Sequence, residues 1–158
     1  MAEFLRSWRQ DIPGYTSTQS GNFDLYLPFI EKGLSILNEH GRLGFIAPSL
    51  WTVNEYGAAL RAMIADGQNL DRWLDFKAHQ IFEESTVYTA LQFYTKQPND
   101  RVKVAFAPNG VVAGDPWSGM ECRVPYDKHQ RRCHLPFGSP RTAPLSLQPP
   151  RQGRAACL

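Results

Sequence analysis

The chain has 158 residues, 17 basic and 15 acidic side chains, and a formal net charge of +2 at pH 7. That length fits one domain with enough apolar content to bury a core, and the small net charge does not by itself indicate nucleic acid binding. The sequence contains no run of about 18 apolar residues, and Met1–Trp8 lacks the pattern of a signal peptide. We therefore expect a cytoplasmic protein that does not associate with membranes.

The three cysteines, Cys122, Cys133 and Cys157, lie in the last quarter of the chain and form no C-x-x-C pair. The nearest histidines, His129 and His134, do not complete the spacing of a metal-ligand set. We expect unpaired thiols and no metal site.

The first predicted helix follows an N-terminal loop segment, residues 1–20, which contains Pro13, Gly14 and several Ser and Thr residues. Apolar residues at three- and four-residue steps then predict a helix over Asp24–Asn38. They are Tyr26, Phe29, Ile30, Leu34 and Leu37. Asp24 is the expected N-cap, and Gly41 the expected left-handed terminator.

A short apolar run, Leu43–Ala47, is typical of a central strand covered on both faces. A second helix is predicted to follow Asn54, which we expect to cap it, and to close at Gly67. Its apolar positions fit the helical template at five places, namely Tyr56, Ala59, Leu60, Met63 and Ile64.

Three further strands are predicted at Leu70–Phe76, Thr86–Thr95 and Arg101–Ala107, the last alternating between apolar and polar residues. The alternation of helices and strands indicates an α/β fold, in which Leu43–Phe76 forms one right-handed crossover by default. No G-x-G-x-x-G loop follows any of these strands.

The C-terminal tail, residues 129–158, differs in composition from the rest of the chain. It has no acidic residue and is rich in Arg, Pro, Ser and Gln, which predicts disorder. One interpretation is a basic arm that contacts DNA phosphates, and the other is the product of a shifted reading frame. The abrupt change after Lys128 favours a shifted frame, because a charged tail alone is weak evidence.

Three segments together resemble the second half of the catalytic domain of adenine-specific amino-methyltransferases from restriction–modification systems. They are Gly21–Tyr26 (GNFDLY), Gly41–Ser49 (GRLGFIAPS) and Ile81–Tyr88 (IFEESTVY). Each motif alone is common, whereas their order and spacing are specific. The resemblance covers about Ser20–Lys96 and continues more weakly to Lys128.

The resemblance implies a partial Rossmann-like methyltransferase sheet, with only the later strands and helices, over residues 21–107. Residues 108–128 would then form a connector toward a target-recognition region. The implied cofactor is S-adenosylmethionine, the implied partner is DNA, and the implied reaction is methyl transfer to the N6 amine of adenine.

Two site residues come from the resemblance. Phe82 matches the aromatic residue that stacks on the flipped target base, a contact worth about 1–3 kcal/mol. Phe29 matches the residue that packs on the adenine ring of the cofactor. From the residues alone, Phe82 could equally plug the core, and Phe29 could belong to the apolar stripe of its helix. We expect Tyr26 in the core, and the Glu83-Glu84 pair simply in solvent.

The chain lacks the Asn-Pro-Pro-aromatic tetrapeptide that performs the chemistry in this family, since its one Pro-Pro pair is Pro149-Pro150, preceded by Gln148. We therefore expect no catalytic residue in this chain and no activity from it alone. Two alternatives stay open: one half of a split methyltransferase or interaction module that needs a partner chain, and a stand-alone α/β binding domain. The strand at 43–47 would then have an open flank, which predicts marginal stability.

Overall fold

The computed structural model describes residues 15–19, 22–83, 86–112, 114–118, 120–123, 126–127 and 132–133. Its α-helices are α1 (Tyr26–Ile36) and α2 (Ala58–Gly67), and its strands are β1 (Arg42–Pro48), β2 (Leu70–Asp75), β3 (Thr89–Thr95), β4 (Arg101–Phe106), β5 (Met120–Arg123), β6 (Tyr126–Asp127) and β7 (Arg132–Cys133). Within these ranges, no helix is long and apolar enough to cross a bilayer. Almost all of the predicted disordered tail lies outside the described residues.

Five strands form one mixed sheet in the order β1-β3-β2-β4-β5, and β6 pairs with β7 in a small second sheet. Strands β1, β2 and β4 run parallel to one another, whereas β3 and β5 run antiparallel to them. The predicted α/β class is therefore confirmed. Strand β3 lies between β1 and β2, so the two strands joined through α2 are not neighbours.

Strand β1 is covered on one face rather than on both. Among the described residues it pairs with β3 alone. Its Leu43 and Phe45 lie under α1, because a Cβ added to Gly33 would come within 2.6 Å of Leu43 Cδ2 and 3.3 Å of Phe45 Cε2. Gly44 and Ile46 on the other face are exposed. The expectation of a strand covered on both faces is wrong for these residues, because α1 and α2 pack on the same side of the sheet.

Both helices begin differently from the prediction. Helix α1 starts at Tyr26 after Leu25, and Asp24 Oδ1 accepts a hydrogen bond only from the adjacent Leu25 N–H, at 2.9 Å. Asn54 makes no side-chain cap, since a turn of 3₁₀ helix separates it from α2. The predicted caps are therefore wrong, because each chosen residue lies before a turn that delays the helix.

The helix ends also depart from the prediction at α1 but not at α2. Helix α1 ends at Ile36 with Leu37 extended, and Gly41 does not have a positive φ. Helix α2 ends at Gly67, as predicted, with Gln68 in the left-handed conformation at φ 51°. The left-handed position thus falls on a non-glycine residue.

The main hydrophobic core lies between the helices and the sheet. Its members share burial under α1 or α2 and include Leu27, Ile30, Leu34, Trp51, Leu60, Ile64, Leu70, Trp73, Tyr94, Val102 and Val104. A smaller cluster on the opposite face consists of Leu74, Phe76, Ala105 and Ala107, with Ile81, Leu91 and Trp117 packed against it. The rings of Trp51 and Trp73 meet edge to face, with centroids 6.1 Å apart.

A buried glutamine, Gln92 of β3, satisfies four polar partners inside the main core. Its Oε1 accepts from Trp51 Nε1 at 3.1 Å and from Tyr94 Oη at 2.6 Å. Its Nε2 donates to the carbonyl oxygens of Ala47 and Pro48, both at 3.1 Å. Because buried polar groups need partners, Gln92 fixes the end of β1 and the turn that follows it.

Candidate functional site

One edge of the sheet gathers the loops that could hold a ligand. Because β1, β2 and β4 are parallel, their carboxyl ends lie at the same edge, where α/β sheets bind ligands. Among the described residues, 49–57, 76–83, 86–88, 107–112 and 114–118 follow these three strands. The start of α1 joins them, since Tyr26 Oη lies 3.1 Å from Tyr56 Oη. We call these segments and the first turns of α1 the carboxyl edge.

Exposed apolar side chains are concentrated at the carboxyl edge. Those of its three loops and of the last residue of β4 are Val53, Phe82, Val87, Tyr88, Phe106, Val111 and Val112. A group of exposed apolar side chains often marks a binding surface, whereas single exposed apolar residues are common on any protein. The carboxyl edge is therefore the candidate functional site among the described residues.

Phe82 lies in the loop between β2 and β3, and 50% of its surface is exposed. Its neighbour Ile81 is half-buried and packs against the smaller cluster of Leu74 and Phe76. The interpretation of Phe82 as a core plug is therefore wrong, because Ile81 occupies that role. Phe82 follows immediately as a large apolar residue in contact with water.

Phe29 lies in the first turns of α1 and exposes 63% of its surface. The buried side of α1 carries Leu27, Ile30, Glu31 and Leu34, which fall at the i, i+3, i+4 and i+7 positions of one helix face. Phe29 lies one position before Ile30 and falls outside this series. The interpretation of Phe29 as part of the apolar stripe is therefore wrong. The predicted apolar stripe omitted Leu27, which is buried. It could not include Glu31, because a charged residue does not count as apolar in such a pattern.

Glu31 is buried because it holds a segment that the sequence presented as a simple loop. Its two carboxylate oxygens accept the backbone N–H groups of Thr16 and Ser17, each at 2.8 Å. These N–H groups belong to a short 3₁₀ turn, Thr16–Thr18, and would otherwise be without partners there. Charge-assisted bonds to a buried carboxylate dock this turn against α1.

At the carboxyl edge, the hydroxyl groups of Tyr26 and Tyr56 form a hydrogen bond, and that of Tyr26 is neutral. Burial, together with the hydrogen bond shared with Tyr56, raises the pKa of Tyr26 far above its ordinary value. Tyr26 therefore stays protonated at neutral pH and links α1 to the loop after β1. Its placement at least partly in the core agrees with the sequence prediction, since Tyr26 packs against the main core.

At the start of the loop that carries Phe82, Asp75 and Lys77 form a close contact that the sequence did not single out. Asp75 is the last residue of β2 and is buried, and its Oδ1 accepts the Lys77 N–H at 2.7 Å. Lys77 Nζ lies 3.3 Å from Asp75 Oδ2 and 4.3 Å from the centroid of the Phe106 ring. The one feature of the sequence that could have indicated this contact is the aspartate itself, since an aspartate commonly accepts the N–H of the residue two positions on in a turn.

His79 and Gly110 bring the loops after β2 and β4 together. A Cβ added to Gly110, whose φ is +74°, would lie 2.2 Å from His79 Nε2. The imidazole therefore rests where a side chain at position 110 would stand. The loop that carries Phe82 and the loop after β4 are therefore in contact at His79 and Gly110.

Comparisons with known proteins show which sequences this chain is similar to. Residues 8–82 match the family model of the Eco57I restriction-modification methylase. The chain is 38% identical over 78 residues to the type II restriction enzyme and methyltransferase RM.Eco57I of Escherichia coli, covering 49% of this chain and 8% of that protein. It thus resembles proteins of the restriction–modification class, as the motifs implied.

Two further relatives are type II methyltransferases. M.XhoI of Xanthomonas vasicola is 46% identical over 59 residues, which cover 37% of this chain and 11% of that protein. M.PaeR7I of Pseudomonas aeruginosa is 31% identical over 87 residues, which cover 54% of this chain and 15% of that protein. The chain therefore has type II methyltransferases as homologues, and it spans only a small part of their length. Phe29 lies inside the segment matched by the family model, and Phe82 is its last residue.

Proposed function

We propose that this chain contributes the later half of the catalytic sheet of a DNA methyltransferase, which transfers a methyl group from S-adenosylmethionine to the N6 amine of adenine. The observation that carries the proposal is the position of Phe82 and Phe29. Both are exposed aromatic residues at the carboxyl edge, and both lie in the segment that matches the methylase family. Neither contributes to the core, so a role in binding explains their exposure better than a role in folding.

The proposed role of Phe82 is to stack on the target base. An enzyme that methylates a base amine must first take the base out of the duplex, and an aromatic face then holds it. Half of the Phe82 surface is available for this contact. The backbone before it is held by Ile81, so the ring is presented by an anchored loop.

The proposed role of Phe29 is to pack on the adenine ring of the cofactor. Its ring is exposed in the first turns of α1, and α1 is tied to the loop after β1 through Tyr26 and Tyr56. An aromatic ring on a fixed helix offers a flat apolar surface at small entropic cost. When bound, S-adenosylmethionine supplies an electrophilic methyl group.

The chemistry requires more than these two rings. The amine of adenine is a poor nucleophile because its lone pair is delocalised into the ring, so it must be oriented by hydrogen-bond acceptors. The family's Asn-Pro-Pro-aromatic tetrapeptide would do so, and the present sequence contains none. We propose that these 158 residues alone do not transfer a methyl group, because the family's cofactor-binding motif and tetrapeptide are both absent from the sequence, and that the assembled enzyme acts on DNA in the cytoplasm.

A fusion tests the proposed activity. The N-terminal part of M.XhoI that precedes its matched segment is joined to residue 8 of this chain, where the family match begins, so that the turn held by Glu31 is retained. DNA treated with the fusion and S-adenosylmethionine is digested to nucleosides. We expect N6-methyladenine by mass spectrometry. A methylated cytosine as the product would overturn the assignment to adenine.

Variants within the same fusion test the two residues. Phe82→Ala should lower methylation, and Phe82→Tyr should restore it because the aromatic face returns. Ile36→Ala, a change at an exposed apolar residue that lies outside the carboxyl edge, is the matched control. For Phe29→Ala, the expected effect is a higher KM for S-adenosylmethionine, with Ile36→Ala, on the same helix, as the control.

One observation favours a second candidate, namely a half of a split methyltransferase or a non-catalytic module that pairs with another chain. Among the described residues, the outer side of β1 forms no ladder, and such an edge can accept a strand from a partner. Sequencing around the gene distinguishes the possibilities. An Asn-Pro-Pro-aromatic run in the same frame upstream of the Met1 codon means one polypeptide, whereas the same run in a separate gene means a split enzyme.

A further inference from the structure

We propose that Asp75 and Lys77 are positioning residues, which fix the point where the Phe82 loop leaves β2 and thereby set where the Phe82 ring stands at the carboxyl edge. The proposal rests on the proposed function only for the use of Phe82 in base stacking. The placement of the ring is a property of this chain and can be measured without DNA.

The first step is the buried carboxylate. Asp75 is part of the sheet, since its carbonyl oxygen accepts the Ala107 N–H at 3.0 Å, and its side chain is only 10% exposed. A buried carboxylate without partners is costly, so its partners are held firmly. Both of its oxygens are bound by Lys77, Oδ1 by the backbone N–H and Oδ2 by the ammonium group. The last residue of β2 therefore holds Lys77, in the loop, through two separate contacts.

The second step is the backbone of Lys77. Its φ of 56° lies in the left-handed region, which costs a residue with a side chain about 1–2 kcal/mol. The hydrogen bond from its N–H to Asp75 Oδ1 compensates for that cost, since an aspartate commonly bonds the N–H two residues on. The chain then turns back, with the His79 N–H donating to the Phe76 carbonyl at 3.0 Å. Asp75 thus selects the turn from which the loop starts.

The third step links this turn to β4. The Lys77 ammonium lies over the Phe106 ring, with 4.3 Å between Nζ and the ring centroid, which is within the range of a cation–π contact. The His79 ring rests against Gly110 in the loop after β4. The loop is therefore held from two neighbouring strands, and Ile81 adds an apolar anchor one residue before Phe82.

A purely stabilising ion pair would be a different explanation. The Lys77 side chain is 44% exposed, and pairs of this kind contribute little to stability because water and salt screen them. If the pair were only that, removing it would leave the Phe82 ring where it is. The two explanations therefore predict different behaviour of Phe82.

The experiment is ¹⁹F NMR of the full chain labelled with 4-fluorophenylalanine, with the Phe82 and Phe106 resonances assigned by Phe82→Leu and Phe106→Leu. In Lys77→Met, which keeps the length of the side chain and removes its charge, we expect the Phe82 resonance to shift by more than its linewidth. Lys77→Arg should restore the original position, since a guanidinium retains both the ion pair and the cation–π contact. Lys32→Met, the same change at an exposed lysine on α1, should leave Phe82 unchanged.

Asp75→Asn is the second variant, because it keeps an acceptor for the Lys77 N–H and removes the charge. Circular dichroism shows that each variant is folded. A Phe82 resonance that stays in place in both Lys77→Met and Asp75→Asn, while that of Phe106 moves, overturns the proposal. If Phe82 responds as expected but Phe82→Ala does not affect methylation in the fusion, the positioning stands and the proposed function fails.

Discussion

Trp51 and Trp73 lie fully buried beneath the helices, whereas Phe29 and Phe82 expose 63% and 50% of their surface at the carboxyl edge. The two groups differ in their neighbours as well as in exposure. The tryptophans pack edge to face, and Trp51 also bonds the buried Gln92. Each phenylalanine has a sequence neighbour that packs inward instead: Ile30 is buried in the main core, and Ile81 packs against the smaller cluster.

The buried tryptophans stabilise the fold, whereas we propose that the exposed phenylalanines bind ligands. Burying a large aromatic side chain contributes several kcal/mol to folding, so selection for stability alone would turn such residues inward. Two that remain outside, in a segment that matches the methylase family model, fit the ligand-binding roles that we propose for them. The comparison predicts that substitutions in the two regions affect different measurements.

The largest effect is expected for Trp73→Ala in the core. Truncating a buried tryptophan costs about 3–5 kcal/mol, because it removes transfer free energy and leaves a cavity. That is a large part of the total stability of an ordinary domain, about 5–15 kcal/mol. We expect loss of the cooperative urea transition at 25 °C, followed by circular dichroism. A variant that unfolds at the parent's urea midpoint would contradict the core as described.

Gln92→Leu should have the next largest effect. It removes the partners of Trp51 Nε1, Tyr94 Oη and two carbonyl groups, and we expect a loss of about 2–4 kcal/mol, since each buried group left unpaired costs about 1–3 kcal/mol. Urea denaturation measures it. Gln92→Glu, which retains the acceptor for Trp51 and Tyr94 but loses the donor, separates the two halves of the network.

Alkaline pH should reveal the buried Tyr94. Burial raises the pKa of Tyr94 well above 10, its ordinary value, so above pH 10 the unfolded chain loses a proton that the folded chain keeps. Stability is therefore complete below pH 10 and falls above it, by about 1.4 kcal/mol per pH unit. Urea midpoints between pH 9 and pH 11 measure this slope. Because burial also raises the pKa of Tyr26, Tyr94→Phe and Tyr26→Phe should each flatten the slope, and a slope that Tyr94→Phe leaves unchanged would contradict the burial of Tyr94.

The smallest effect on stability is expected at the carboxyl edge. Phe29→Ala and Phe82→Ala should change the free energy of unfolding by no more than about 0.5 kcal/mol, as exposed positions usually do. In the methylation assay, loss of stacking by about 1–3 kcal/mol should weaken function roughly 5- to 150-fold for Phe82. A large drop in stability without a change in methylation would reverse the comparison.

Much of the local structure could be predicted, because it depends on residues close together in the chain. The spacing of apolar residues located α1, α2 and the four longest strands, with an error of no more than three residues at any end. The start of β3 at Thr89 rather than at residue 86 is one such error. The caps were wrong because side chains such as Asp24 had other backbone partners within reach.

The candidate site could be predicted only in part. The motifs indicated Phe82 and Phe29, but spacing alone assigned Phe29 to the core, because residues one position apart on a helix are hard to separate by pattern. The roles of Asp75 and Lys77 depend on where Phe106 and Ala107 of another strand lie. No periodicity in the sequence encodes that contact.

The sequence by itself determined the α/β class, the order of the elements and the resemblance to restriction–modification methyltransferases, since patterns and motifs are local properties of the chain. The tertiary structure alone decided that β3 separates β1 from β2 and that Glu31 turns inward to hold residues 16 and 17. It also decided that Phe29 faces water. Strand order and burial depend on the pairing of residues far apart in sequence, and the free energy of that pairing is a property of the whole fold.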